Sequence, residues 1–259
     1  MRVRTVSFAI AALLAGATFL IGAAGLYAGS AEDLLAQVDA RRYLPDFSFV
    51  LQMTSLDGDR TVDSNTLWGF VKGSGSENRS LVAFADPASV RGRKMLMDGN
   101  IVYLLFPKTT NPIRLSPLQV LMGQASNGDV VRTSFSRDYD VASMTETDRD
   151  GVPCYLFALT VKETHKDTSY KRIQLWVEKA TLHPLYAEFS TADTLLKKAT
   201  YRDYRTSLGK DLPFVTDIQD AADPQKHTVM QYVTVGQKVV PETVFRRDYL
   251  SSWTPEQPK

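Results

Sequence analysis

Cysteine is almost absent. Cys154 stands alone in 259 residues, so no intrachain disulfide can form and stability must come from the core. Its surroundings, "VPCYLFALTV" (152–161), read as a buried small apolar position; the alternative, a reactive thiol, lacks a nearby His in sequence. Histidine is equally scarce. His165, His183 and His227 share no spacing with one another, with the Cys or with a carboxylate that would suit a metal, so no metal ligands are expected. No G-x-S-x-G elbow, Walker loop or dinucleotide fingerprint occurs, and "GSGSEN" (73–78) reads as a hairpin. Active sites ordinarily show clustered titratable groups. None is legible here, so no catalytic residue, no cofactor and no enzymatic function is expected.

Nor does either sign of charge dominate. Lys and Arg total 30 against 29 Asp and Glu, and without residues 1–28, which hold Arg2 and Arg4, the balance is 28 to 29. A near-neutral body lacks the basic footprint that nucleic acid requires and has no electrostatic pull toward an anionic membrane. The first 31 residues are different. Arg2 and Arg4 precede an apolar run without charge until Glu32, closed by small residues around Ala28 and Ser30. That layout is a secretory signal over 1–28; an uncleaved N-terminal anchor is the rival, because the run is long. Both leave the remainder outside the cytoplasm, which predicts a periplasmic location. No Cys follows the run for acylation.

What is abundant is alternation. After one amphipathic helix over roughly 31–41, with Ser30 as N-cap and Glu32 and Asp33 in its first turn, the hydrophobic period becomes two. "FSFVLQMTS", "TVDSNTLWGFVKG", "NRSLVAFADP" and "RKMLMDGNIVYLLFP" read as strands, with turns at Asp57–Asp59 and Asp98-Gly99-Asn100. Further strands are predicted over 139–148, 152–163, 171–179, 184–191, 195–205, 212–221, 226–235 and 243–249. About a dozen strands and few helices imply one antiparallel barrel or sandwich. A single domain over 29–250 and a flexible polar tail over 251–259 are expected. One apolar face runs through Phe47/Phe49/Leu51/Met53, Trp68/Phe70, Val82/Phe84, Met95/Met97 and Tyr155/Phe157/Leu159/Val161. Such stripes are core more often than ligand site. With so little helix to cover so large a sheet, some concavity is expected to stay open for an apolar guest.

The runs "FADPASVRGRKMLM" (84–97), "VYLLFPKTTNPIRLSP" (102–117) and "GQASNGDVVRTSFSRDYDV" (123–141) resemble the outer-membrane lipoprotein-sorting family, in particular its LolA-like branch associated with RND/MMPL-type exporters. The similarity continues more loosely through 173–204. The matching motif positions are Pro87, Arg91, Gly92, Gly123, Asn127, Gly128, Asp129, Phe135 and Tyr139. The resemblance implies an incomplete, strongly curved antiparallel β-barrel (LolA/LolB-like), mainly β with short helices over the concave face. It implies a monomeric periplasmic carrier that holds lipid or lipoprotein acyl chains and serves an RND/MMPL-type transporter. Phe49, Leu51, Met53, Trp68, Phe70, Phe84, Met95 and Met97 would line the hollow. A non-carrying interaction module of an exporter complex is the alternative, with "RGRK" (91–94) and "FRR" (245–247) as either docking faces or a solvated rim.

"LMGQASNGDVVRTSF" (121–135) interrupts the strand pattern. Ser116 as N-cap, Pro117 and the terminator Gly123 predict one short helix; Ser126 or Asn127 as cap and the spacing of Val130, Val131 and Phe135 predict a second. A phosphate cradle would want a Lys or several glycines alongside. The pair is expected to be a lid over the hollow, with Leu118, Leu121, Gly123, Asn127, Val131 and Phe135 as its residues.

Overall fold

The computed structural model describes residues 30–258 apart from 43, 45, 75–76, 100, 117–118, 127–128, 130–133, 166–169 and 239. The expected signal, 1–28, lies outside the described residues.

Helix α1 spans Ala31–Arg42. The Ser30 hydroxyl accepts the Asp33 N–H at 3.1 Å and the Asp33 carboxylate accepts the Ser30 N–H at 3.1 Å, a reciprocal cap for the exposed helix donors. Leu34, Leu35 and Val38 form its buried face, each contributing about 1.5–3 kcal/mol of transfer free energy.

The chain then makes β1 (Asp46–Asp57), β2 (Arg60–Ser74), β3 (Glu77–Asp86), β4 (Lys94–Asp98), β5 (Ile101–Leu105) and β6 (Ile113–Leu115) as a meander. A small hairpin follows, β7 (Val120–Met122) and β8 (Ala125–Ser126), then the short helix α2 (Phe135–Asp138). A second meander runs through β9 (Tyr139–Arg149), β10 (Val152–Val161), β11 (Arg172–Glu178), β12 (Pro184–Ser190), β13 (Leu195–Ser207), β14 (Lys210–Asp220) and β15 (Lys226–Gly236).

Thirteen strands make one antiparallel sheet in the order β6-β5-β4-β3-β2-β1-β15-β14-β13-β12-β11-β10-β9. The two meanders join at β1–β15, where Phe49 faces Val235 and Met53 faces Met230. Strands β6 and β9 are the outer edges and do not pair, so the sheet curves without closing. Bulges at Val50/Leu51, Ser55/Leu56, Thr66/Leu67, Ala158/Leu159, Trp176/Val177 and Phe189/Ser190 add the local twist that bending a long sheet requires. The expected incomplete barrel is therefore what the chain forms.

Each face carries its own core. The concave face gathers Phe47, Phe49, Leu51, Met53, Leu67, Val82, Phe84, Met95, Met97, Phe157, Leu175 and Met230 with the buried side of α1 and with Phe135. The convex face gathers Phe70, Leu81, Ala83, Leu96 and Leu105 under Val244, Phe245, Leu250 and Trp253. The expectation that Trp68 and Phe70 share the hollow with Phe49 is corrected here. On β2 the inner positions are Leu67 and Gly69, and the Phe49 ring occupies the space that a Cβ at 69 would need. Phe70 points the other way and meets Trp253 edge to face, with centroids 5.8 Å apart. Trp68, one residue out of phase with Leu67, belongs to neither cluster.

The C-terminal segment is also reassigned. Instead of a strand over 243–249 it makes two 3-10 turns, Glu242–Phe245 and Arg247–Tyr249, because its apolar residues fall at 244, 245, 250 and 253 without a period of two. The segment from 251, expected to be flexible, continues across the convex face. Trp253 is buried there, and the Lys94 ammonium donates to the carbonyls of Leu250 and Trp253.

Candidate functional site

Beneath the concave face lies a cavity of about 70 Å³ lined by Arg42, Leu51, Asp129, Phe135, Phe189, Lys197, Ala199, Tyr201, Pro213, Thr216, Ile218, Met230 and Tyr232. Strands β1, β12, β13, β14 and β15 form its wall, and α1, Asp129 and α2 cover it. Pockets that enclose drug-sized ligands run to about 300–1,000 Å³, so this hollow is mostly filled by its own side chains. A guest of acyl-chain size needs the cover to move.

The cover is held by polar contacts. In the hairpin β7–β8, Gly123 has φ +53°, and a Cβ there would collide with the Ser55 and Thr228 hydroxyls on β1 and β15. Only glycine combines that backbone angle with so close an approach. The Gln124 N–H donates to Thr228 Oγ1 at 2.8 Å, while Met122 and Ala125 join the concave core. The first expected lid helix is thus a strand pair, with Leu121 in β7 and Gly123 in its turn: pairing with β8 satisfies backbone groups that a single helical turn would leave open. Of the second, Phe135 begins α2, and Asn127 and Val131, like Leu118 of the first, lie outside the described residues.

Two buried carboxylates fasten the remainder. Asp39 of α1 receives Arg42 through Nε (3.1 Å) and Nη2 (3.0 Å), and its other oxygen accepts the Ser136 N–H (2.7 Å) and the Ser134 and Ser136 hydroxyls (3.2 and 2.8 Å). Asp39 so caps α2 from a different helix, and the Arg42 guanidinium lies 4.4 Å above the Phe135 ring.

Asp129 makes the second fastening. Its Oδ2 accepts the Ser126 N–H (2.7 Å) and hydroxyl (2.8 Å) and is ion-paired with the Lys197 ammonium; its Oδ1 accepts the Tyr170 phenol at 2.9 Å. The side chains of Lys197 and Asp129 are each only 9% exposed. Lys197 stands at an inward position of β13 beside Ala199, 5.0 Å from the centroid of the Tyr170 ring. Burial, and then the negative charge of Asp129, push the Tyr170 phenol well above its ordinary value. Burial likewise raises Tyr201, with Arg42 opposing and Asp129 adding to the rise. Tyr139 is raised by burial and by Asp138, and donates to the Tyr170 carbonyl at 3.1 Å.

Of the residues proposed for the hollow and the lid, Leu51 and Phe135 are among those that line the cavity. Phe49, Met53, Phe84, Met95 and Met97 belong to the same concave core without lining the cavity, Phe49 packing on Tyr232 of its wall, and Phe70 lies on the opposite face. Arg42, Tyr170, Lys197 and Tyr201 were not foreseen. Lys197 was the most legible of them: in "LLKKATY" it alternates with Ala199 and Tyr201, which puts a cation on an apolar face.

Other motif residues are structural. Arg91 donates to the Ala85 carbonyl and to Asp86, and Gly92 (φ +86°) donates to the Phe84 carbonyl, which together shape the turn from β3 to β4 after Pro87. In the two basic clusters, Arg93 lies over the Phe106 ring, Arg246 pairs with Asp248 and Arg247 lies over the Tyr103 ring. Cys154 is fully buried, and burial followed by Glu178 and Asp148 raises its thiol. His183 Nε2 lies 3.3 Å from the Asp211 carboxylate and its ring stacks on Tyr204, and His227 Nδ1 lies 2.9 Å from the Asp217 carboxylate. Among the described residues no group of three His, Cys, Asp or Glu could hold a metal, and no helix is long and apolar enough to cross a membrane.

A curved open sheet with a covered apolar hollow is the LolA-like architecture, and solved structures share it. A LolA superfamily protein from Nitrosomonas europaea is 29% identical, with a TM-score of 0.76 over 85% of this chain and 99% of its own. A DUF1329 family protein from Desulfovibrio piger (23% identical, TM-score 0.73, 83% and 95% covered) has the same fold. So does a domain from Vibrio parahaemolyticus named for outer membrane lipoprotein sorting (17% identical, TM-score 0.73, 85% and 97% covered). The chain thus has the LolA-like fold. A family model described as "Uncharacterized protein" matches residues 76–252, and the chain belongs to that family. No protein of curated function matches it.

Proposed function

We propose that the protein is a periplasmic carrier that takes lipid or lipoprotein acyl chains into its concave hollow and passes them between membrane machines. The observation that carries this reading is the apolar concave face, closed over a cavity by α1, α2 and the β7–β8 hairpin, a cover whose fastenings include a few exchangeable polar contacts. Burying each methylene there contributes about 0.8 kcal/mol, so a chain of ordinary length binds without covalent chemistry. The likeness to a LolA superfamily protein supports it.

In the same proposal residues 1–28 are an export signal, 29–250 are the carrier domain, and the partner is an RND/MMPL-type exporter. Leu51 and Phe135 touch the guest, and Phe49, Met53, Phe84, Met95 and Met97 move to admit it. Methionine suits such a wall because its thioether adapts to chains of varied shape.

Native mass spectrometry of protein purified from the periplasm without detergent is expected to show co-purifying lipid. Protein that is empty, and that also takes up no fluorescent fatty acid, would rule the carrier out.

A further inference from the structure

We propose that the hollow selects a single-chain amphiphile with an anionic head, a carboxylate or a phosphate, which takes the place of Asp129 on the Lys197 ammonium. This rests on the carrier reading and adds to it the class of guest.

Lys197 is the reason. It projects from β13 toward the concave interior, among Phe189, Ala199, Ile218 and Met230, and is almost wholly removed from water. An apolar guest gains nothing from a cation there. Within the closed protein that cation is matched by Asp129, which belongs to the cover and not to the wall. When the cover moves to admit a chain, Asp129 moves with it. The Gln124 carbonyl and the Ser126 hydroxyl, each 3.4 Å from the ammonium, carry no charge, so losing Asp129 is strongly unfavourable because desolvation is no longer offset by a counter-ion. A guest that brings its own anion restores the pair.

The exchange conserves charge: one carboxylate leaves the ammonium and another anion arrives. The remaining donors to Asp129 are the Ser126 N–H and hydroxyl and the Tyr170 phenol, and Tyr170 and Ser126 also lie within 3.3 Å of each other. They form a polar corner at one end of the hollow while Leu51, Ile218, Met230 and Phe135 form the apolar remainder. Head and tail of an amphiphile each find matching chemistry. Arg42 is already committed to Asp39 and is not displaced. A neutral lipid would have to leave the Lys197–Asp129 pair intact, and with it the part of the cover that closes the cavity.

The test compares two probes with one chain, cis-parinaric acid and its methyl ester, by their fluorescence on binding to the intact protein. The acid is expected to bind at least about tenfold more tightly, as suits a desolvated, charge-assisted contact. In the double variant Lys197→Met with Asp129→Asn, which removes both charges, the two probes are expected to bind within about twofold of each other. Competition by hexadecyl phosphate against hexadecanol then distinguishes the two heads: displacement by the phosphate alone extends the site to phosphate heads, and a carboxylate-only preference narrows it. Equal binding of acid and ester to the unaltered protein overturns the inference and leaves the carrier standing. A preference that survives in the double variant also overturns it, because Lys197 is then not its source. Binding of neither probe sinks the carrier reading, and the inference with it. The comparison on the unaltered protein decides the matter even if the double variant does not fold.

Discussion

The sheet is covered on both faces, and the two covers differ in kind. On the convex side the C-terminal segment lies over Phe70, Leu81 and Leu96 through Phe245, Leu250 and Trp253, a contact made by apolar area with Lys94 tethering backbone carbonyls. On the concave side the cover also packs apolar side chains, among them Leu34, Leu35, Val38, Met122 and Phe135, but it is fastened in addition through hydroxyls, a carboxylate and one buried ammonium. Apolar contact has no ready substitute once broken, except another apolar surface. Polar contact can be exchanged, partner for partner, with water or with a ligand. In the carrier proposal the convex face stays closed and the concave face is the one that opens.

The largest effect should come from breaking the permanent side. Trp253→Ala is expected to lower stability by about 3–5 kcal/mol in urea unfolding while leaving the acid-to-ester preference of the hollow unchanged. An equal loss of ligand binding would show that the two covers are one cooperative unit.

On the exchangeable side, Lys197→Met strands the Asp129 carboxylate and should cost about 3 kcal/mol; adding Asp129→Asn should recover most of that. A double variant no more stable than the single one would mean that the ammonium matters for its packing and not for its charge. Gly123→Ala comes next, at about 2 kcal/mol, from the positive φ and from collision with Ser55 and Thr228. Proline at 123 is excluded by the same angle, so alanine is the cleaner probe of the hairpin seat. Release of a bound fluorescent fatty acid should accelerate in this variant more than in Trp253→Ala.

Alkaline pH acts on three phenols of the concave side. Tyr139, Tyr170 and Tyr201 all hold their protons above the ordinary phenol value of 10.0 in the folded protein. The unfolded chain releases them near that value. Their contribution is therefore complete below about pH 10 and falls as pH rises beyond it, because the unfolded state is then favoured by ionisation. Spectroscopic titration at 295 nm should show phenols that ionise only on unfolding, and a fully reversible titration of every tyrosine in the folded state would contradict this. The smallest effect is expected at Glu242, half exposed and paired with Lys72 and Arg79: Glu242→Gln should shift the urea midpoint only slightly, and less in high salt.

The architecture was largely legible. Long β-rich apolar runs in β1 and β10, two-residue turns such as Asp150-Gly151 and Leu208-Gly209 with positive φ at both positions, and the cap at Ser30 fix elements locally. What escaped was which of two apolar faces a strand contributes to. Trp68 and Phe70 read as hollow residues because alternation defines two faces without naming them, and β2 is apolar on both. The face was decided by Trp253, about 180 residues away, in a segment whose polar composition hid its anchoring role. The candidate site was less legible for the same reason. Asp129 and Lys197 are 68 residues apart, and each alone reads as a helix-start acid and a strand lysine; only the curvature of the sheet makes them a pair.

The central seam between β1 and β15 has a consequence for biogenesis. The Ser48 hydroxyl and the Gly236 carbonyl that meet across it are 188 residues apart in the chain. A nascent chain exposes β1, among the most apolar of its strands, long before its partner β15 is synthesised. Non-local pairing of this kind is slow, and an unpaired apolar strand is open to wrong partners in the meantime. The N-terminal meander must therefore wait, half finished, for nearly the whole remaining polypeptide. Folding of this protein is timed by the arrival of its last strand.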